Sequence, residues 1–422
     1  MERAIQLVRA MITEARPEAA DSPPGREALI REARRRQRRR QAIGALTATA
    51  LLGGGAAIVT LTASSNGSHP RARPSASSGV LPTGPLATLH EAGPLAVAPN
   101  GGVLYVADAP NSSEPYVDDR VLARLPDGRF RVVAGTGKNG FSGDRGPAVR
   151  AELSNITDLA VGPDGTLYIA DGGRVRTVNR KGVIRTIAGS GRPARAVANG
   201  TPALSAALGA VFIALSPTGR LYISTGSPWR SPPSQILRLT ATGTLDLVRD
   251  IVTSAPGGNL TDREARGSQL GSFDHIAIDT RGNIDVAGGP GGWGVWQIAP
   301  NGNAHLVSGD HYAHGNGGAD PTLERGPGGA VYAAAGSPGM FRVEPDELAP
   351  IAACNRPLAR PLNGLSVLPL YFAFSTNGTL YADDEPGGTA FDAHQQLVAV
   401  TRGHSTLLWQ QRNTVRKKRL AR

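Results

Sequence analysis

The chain has 422 residues with 54 glycines, 32 prolines and 5% aromatic residues, a composition that suits many short strands joined by tight turns better than a helical bundle. Its formal net charge of +11 sits at the two ends: residues 1–63 hold 11 Lys+Arg against 6 Asp+Glu, residues 412–422 hold 6 basic and no acidic residues, and residues 64–411 hold 28 of each sign. A neutral body lacks the basic face of a nucleic-acid-binding domain, and a single cysteine, Cys354, excludes an intrachain disulfide or a cysteine-rich metal site.

Residues 1–41 read as a basic helical tail. Ala4, Ile5, Val8, Met11 and Ile12 form one apolar stripe at helical spacing, and Ser22-Pro23-Pro24 starts a second, arginine-rich helix. Residues 42–63 are 22 residues without a charge. As a helix they would be ~33 Å long, enough for a hydrocarbon core of about 30 Å. Seven arginines, Arg31 to Arg40, precede the run, and the next charge after it is Arg71. The positive-inside rule therefore predicts a single-pass anchor with the N-terminus cytoplasmic and the rest extracellular, at a plasma membrane. A cleaved signal peptide is the competing reading. It would need a 41-residue leader before the apolar run and would place Leu61 where a small residue is wanted. Residues 64–84, rich in Ser, Pro and Gly, form an extended linker.

From residue 85 to 411 one unit recurs. Its first turns include Pro99-Asn100-Gly101, Pro163-Asp164-Gly165, Pro217-Thr218-Gly219 and Thr376-Asn377-Gly378. The strands that follow carry Leu104-Tyr105, Leu167-Tyr168, Leu221-Tyr222, Ile284-Asp285, Val331-Tyr332 and Leu380-Tyr381, each leading to a second turn such as Pro126-Asp127-Gly128 or Pro300-Asn301-Gly302. Asn-Gly and Asp-Gly supply the positive φ angles of tight hairpins. A single four-stranded sheet cannot bury both its faces; a ring of sheets can. Six units in one order predict an all-β fold: a six-bladed β-propeller of four-stranded antiparallel blades, preceded by the helical tail and the transmembrane helix. The units around 264–309 and 320–353 are the least regular. Residues 86–89 are a spare strand, expected to pair beside Thr406–Gln410 and latch the ring. The basic tail 412–422 has no structural task.

Residues 134–148, AGTGKNGFSGDRGPA, with Leu153, Asp158-Leu159-Ala160-Val161, Leu167 to Asp171 and Val175-Arg176-Thr177-Val178, resemble an NHL repeat of the bacterial and teneurin type. Arg145 stands where one of the usual glycines is found, and Gly172-Gly173-Arg174 shortens the usual step after the Ala-Asp pair. The resemblance implies the propeller fold. It also implies a site at the channel mouth, because a lyase with an NHL-like propeller holds zinc there through histidines from separate blades. Asp158, Asp274 and His275 are the ligand-binding candidates at that mouth. Only His275 matches such a histidine, so neither a metal nor a cofactor is expected, and no catalytic set is assembled.

The expected function is a membrane-anchored extracellular binding or sensing propeller, with a protein or glycan as partner and no nucleic acid. The tail 1–41 is similar to anti-sigma-like tails of anchored actinobacterial proteins, which implies a cytoplasmic partner, and the Ala/Arg/Gly-rich composition points to a high-GC bacterial source. The alternative is a propeller enzyme of the lyase or lactonase kind with a metal in the channel.

Overall fold

The computed structural model describes residues 83–99, 101–108, 119–209, 211–225, 234–251, 273–288, 295–308, 322–335, 339–344, 348–353, 371–384, 396–401 and 404–410. All of them belong to one unit of the chain, Thr62–Gly387 with His394–Arg422. The expected tail, anchor, linker and C-terminal basic segment (1–41, 42–63, nearly all of 64–84, and 412–422) lie outside the described residues. Among those that are described, no helix is long and apolar enough to cross a membrane.

Six antiparallel sheets follow one another along the chain. Blade one is β2 (Leu95–Val97), β3 (Leu104–Asp108), β4 (Arg120–Arg124) and β5 (Phe130–Ala134), edged by β1 (Leu86–Ala87). Blade two is β6 (Ile156–Val161), β7 (Leu167–Asp171), β8 (Arg174–Val178) and β9 (Ile184–Ala188). Blade three is β11 (Val211–Leu215), β12 (Leu221–Thr225), β13 (Ser234–Leu239) and β14 (Thr244–Ile251), edged by β10 (Thr201–Pro202). Blade four is β15 (Phe273–Ile278), β16 (Ile284–Gly288), β17 (Val295–Ile298) and β18 (Ala304–Ser308). Blade five is β19 (Thr322–Arg325), β20 (Val331–Ala335), β21 (Gly339–Val343) and β22 (Leu348–Ala353). Blade six is β23 (Phe372–Phe374), β24 (Leu380–Asp384), β25 (Gln396–Thr401) and β26 (His404–Gln410).

The inner strands β2, β6, β11, β15, β19 and β23 each touch the next, and β23 touches β2, so the ring is closed. Apolar clusters fill every seam. One joins Tyr105 and Val133 of blade one to Leu159, Leu167 and Ile169 of blade two. Another joins Ala277 and Val295 of blade four to Leu323 and Val331 of blade five. The six-bladed, four-stranded expectation holds, and the two irregular units are full sheets.

Tight turns do what their residues dictate. In blade two Gly165 takes φ +80° and donates its N–H to the Gly162 carbonyl, while the Asp164 carboxylate accepts the Thr166 N–H at 3.0 Å. The Ala-Gly pairs that end β5 and β9 have a second reason for glycine. A Cβ on Gly135 would lie 2.5 Å from the Asp119 carbonyl oxygen, and one on Gly189 would collide with the Gly173 carbonyl.

The latch is not where the sequence placed it. β1 pairs with β5 of blade one, Leu86 opposite Arg131 and Ala87 opposite Phe130, and β26 ends its sheet. Gly84 explains the choice: its N–H donates to the Val132 carbonyl at 3.2 Å, and a Cβ there would lie 2.6 Å from that oxygen. The bare backbone of Gly84 therefore docks on β5. The same device recurs, because β10 edges blade three and Pro147 bridges to Val183 in blade two. The ring instead closes through side chains, with Leu95, Leu104 and Val106 packed with Ala373 and Leu397.

The docked segments also expose a second copy of the NHL-like loop. Pro147-Ala148 and Pro202-Ala203 each lead into a 3-10 turn (Ala148–Arg150 and Ala203–Ser205) and then into buried Leu153 and Leu208. In the first copy the wholly buried Arg176 clamps the loop. Its guanidinium donates to the carbonyls of Ser142 and Glu152 at 2.7 and 2.9 Å and pairs with Asp144 and Asp171 at 2.8 and 3.2 Å.

Candidate functional site

The six inner strands and their first turns line a central channel of about 460 Å³. Strand register makes its lining comparable from blade to blade. Ala96, Ala160, Ala214, Ala277, Glu324 and Ala373 lie opposite Tyr105, Tyr168, Tyr222, Asp285, Tyr332 and Tyr381. Each pair joins a small residue on the inner strand to a large one on its neighbour, and the pattern breaks twice. Blade five carries glutamate where five blades carry alanine, and blade four carries aspartate where five carry tyrosine. The next inner-strand position holds Val97, Val161, Leu215, Ile278 and Phe374, but Arg325 in blade five. Leu323-Glu324-Arg325 is thus the charged counterpart of an apolar-Ala-apolar triplet, and all three residues line the channel.

Asp158 also lines the channel, from β6. A bulge at Thr157 sets it opposite Ala170. Its Oδ1 accepts the Leu159 N–H at 2.8 Å and its Oδ2 accepts the Ile213 N–H of blade three, also at 2.8 Å. Thr157 adds a bond from its hydroxyl to the Val211 carbonyl at 2.5 Å. The Thr157-Asp158 pair therefore staples blade two to blade three. Burial pushes the Asp158 carboxyl up to about 7, against the two N–H groups that favour its charged form.

Counting round the ring, blade five faces blade two. The Glu324 carboxyl is pushed well above the usual carboxylate range, first by burial and then by the negative charge of Asp158. Burial lowers the Arg325 guanidinium, with Glu324 opposing the shift. Among the described residues the Arg325 guanidinium has no hydrogen-bond or ion-pair partner within reach.

The other two expected site residues are placed differently. His275 holds in blade four the position of Phe212 in blade three, and their rings stack with centroids 4.4 Å apart and tilted 50°. Burial drives its imidazole down to about 4, so at neutral pH it is an uncharged ring. It is not among the channel-lining residues, and no hydrogen bond joins it to Asp158. Asp274 sits on β15 at an irregularity between Phe273 and His275, and its side chain lies outside the described residues. Among those residues, no group of three His, Cys, Asp or Glu side chains is placed to hold a metal.

Sequence reasoning missed Glu324 and Arg325. The signal was present in the inner-strand triplets, which show blade five as the exception once aligned on the first turns. Asp285 was visible at its tyrosine position. It is fully buried, its Oδ1 accepts Gln297 Nε2 at 2.9 Å, its Oδ2 has no hydrogen-bond partner, and burial raises it to about 7.

Comparisons with known proteins bear on part of this ring. Residues 87–205 match the family model of the teneurin NHL domain. Over 102 residues the chain is 30% identical to Teneurin-m of Drosophila melanogaster, and over 103 residues 35% identical to Teneurin-3 of Mus musculus. Each match takes in 23% of this chain and 4% of the relative's length. Among solved structures, a gluconolactonase from Xanthomonas campestris aligns over 74% of this chain and 87% of its own, with 13% identity and a TM-score of 0.44. Residues 87–205, from the edge strand of blade one to the approach to blade three, are therefore similar to teneurin-type NHL repeats, and they are built into a six-bladed β-propeller.

Proposed function

We propose that the chain is a membrane-anchored binding and sensing protein whose extracellular propeller takes a ligand at the central channel. The anchor is residues 42–63, and the tail 1–41 meets a partner in the cytoplasm. The observation that carries the binding reading is the Glu324-Arg325 sector of blade five. Charges at these two inner-strand positions cost desolvation energy and add nothing to blade packing, where an alanine and an apolar residue serve in the other five blades. A fold that departs from its own repeat at two adjacent channel positions has a use for them there. The teneurin-like stretch supports the same reading, since an NHL ring offers a rigid surface on which a protein or glycan can also rest.

Native mass spectrometry of the full chain, purified from its membrane, tests this reading. A molecule of a few hundred daltons retained by the wild type and lost from the Glu324→Ala/Arg325→Val variant supports it. Equal retention by both contradicts it. Protease added to intact cells should remove residues 85–411 and spare the tail, and full protection would refute the topology.

A second reading, a lyase or hydrolase, draws on one observation: Asp158 and Glu324 share the channel, and burial raises both carboxyls above the usual carboxylate range, as groups that carry protons in catalysis require. Turnover of the retained molecule by the wild type would decide for it.

A further inference from the structure

We propose that the channel ligand is a small organic carboxylate with an apolar body, held through Arg325. The inference rests on the binding reading above and gives that site its ligand class.

Among the described residues three charged groups line the channel, and two of them are spoken for. The carboxylate oxygens of Asp158 already accept the N–H groups of Leu159 and Ile213. Glu324 is held toward its neutral form by burial and by the charge of Asp158, so it offers Arg325 little counter-charge. Arg325 remains. A guanidinium does not neutralise itself by losing a proton as a buried carboxyl does by gaining one, and this one has no ion-pair or hydrogen-bond partner among the described residues. An unpaired cation on a mostly buried wall is the half of an ion pair that a ligand completes.

The chemistry of that ligand follows from the surroundings. The planar fork of arginine takes a carboxylate through two parallel hydrogen bonds. A neutral Glu324 can add a third, from its own O–H. A single negative charge matches a single guanidinium, whereas a phosphate dianion would bring a second charge toward Asp158. At the same level Val97, Val161 and Phe374 are partly exposed along the channel, a surface on which an apolar body can rest. The volume of about 460 Å³ lies in the usual range for small-molecule sites.

The test is calorimetric titration of the full chain with hexanoate, hexylamine and hexanol. Hexanoate should bind with one site per chain, about tenfold or more tighter than the other two, the worth of a charge-assisted hydrogen-bonded pair. Arg325→Val, which copies blades one and two, should lose that advantage without a fall in melting temperature. Arg325→Lys, which keeps the charge and loses the fork, should lie between. Tighter binding of hexylamine would assign the site to the carboxyls and overturn the proposal, as would equal binding of hexanoate and hexanol. If hexanoate fails to bind while the native chain still retains a molecule that the double variant loses, the ligand class falls and the binding site stands. If neither is seen, both fall.

Discussion

Blades two and five face each other across the ring and are built on opposite logics. Blade two follows the repeat: Leu159-Ala160-Val161 on the inner strand, Tyr168 and Asp171 on the next, and the buried Arg176 holding its NHL-like loop by four contacts. The buried charges there, Arg176, Asp171 and Asp158, all have partners inside the protein. Blade five keeps the strands and the turns but puts Glu324 and Arg325 into the channel wall, where no described side chain completes the arginine. The difference separates two uses of charge in one fold. Satisfied from within, charge specifies architecture. Left open toward a cavity, it is available to something that arrives.

The contrast can be broken most forcefully from the blade-two side. Arg176→Ala strands Asp171 and Asp144 and two backbone carbonyls together, and it should cost about 3–5 kcal/mol by chemical denaturation, the range for removing one partner of a buried pair. A loss under 1 kcal/mol would show that the clamp is ornamental.

Next in size is the pH dependence of stability. The folded pKa of Asp158 is about 7, raised from 3.8. Its contribution is therefore fully present below about pH 4 and is lost as pH rises through 7, at up to about 1.4 kcal/mol per pH unit. Asp285, also raised to about 7, acts in the same direction. His275 opposes them between pH 4 and 6.5, because its folded pKa is depressed and the unfolded state takes up the proton there. Between pH 6.5 and about 7.5 the raised carboxyls dominate among the described residues with resolved shifts, so the wild type should lose stability over that interval. Asp158→Asn should remove part of the slope. An unchanged slope would mean that Asp158 is already ionised in the folded ring.

The smallest effect tests the edge strand. Gly84→Ala places a methyl against Val132 and should undock β1 at a cost of about 1 kcal/mol. Hydrogen exchange at the Val132 amide, which donates to the Pro85 carbonyl, should speed up in that variant and stay slow elsewhere in blade one. No change there would place the hold on β1 in its side chains.

Most of this ring was legible in the sequence because turn chemistry is local. Asn-Gly, Asp-Gly and Leu-Tyr steps announce hairpins without reference to anything distant, and even Ile284-Asp285 kept its place in the count. The edge strand was not legible. Whether Leu86-Ala87 joins the first blade or the last is decided by the fit of Gly84 against Val132, a contact 48 residues apart in sequence that no local pattern records. Asp158 could be placed at the start of an inner strand, but its two backbone donors, one from the next blade, only the folded ring supplies. His275 stood out as a histidine at a channel mouth and proved to be an aromatic partner of Phe212. Glu324 and Arg325 carry no motif of their own, and their meaning comes from what the other five blades have in the same register.

The central claim is that the charged sector of blade five serves recognition and not the ring. The melting temperature of Glu324→Ala/Arg325→Val, measured with and without hexanoate, tests it most directly. The account predicts a ring as stable as the wild type or more so, since apolar residues that fit commonly replace buried charge without loss, together with loss of the hexanoate-induced rise that the wild type shows. A double variant that melts several degrees below the wild type, or one that keeps the hexanoate-induced rise, would contradict it.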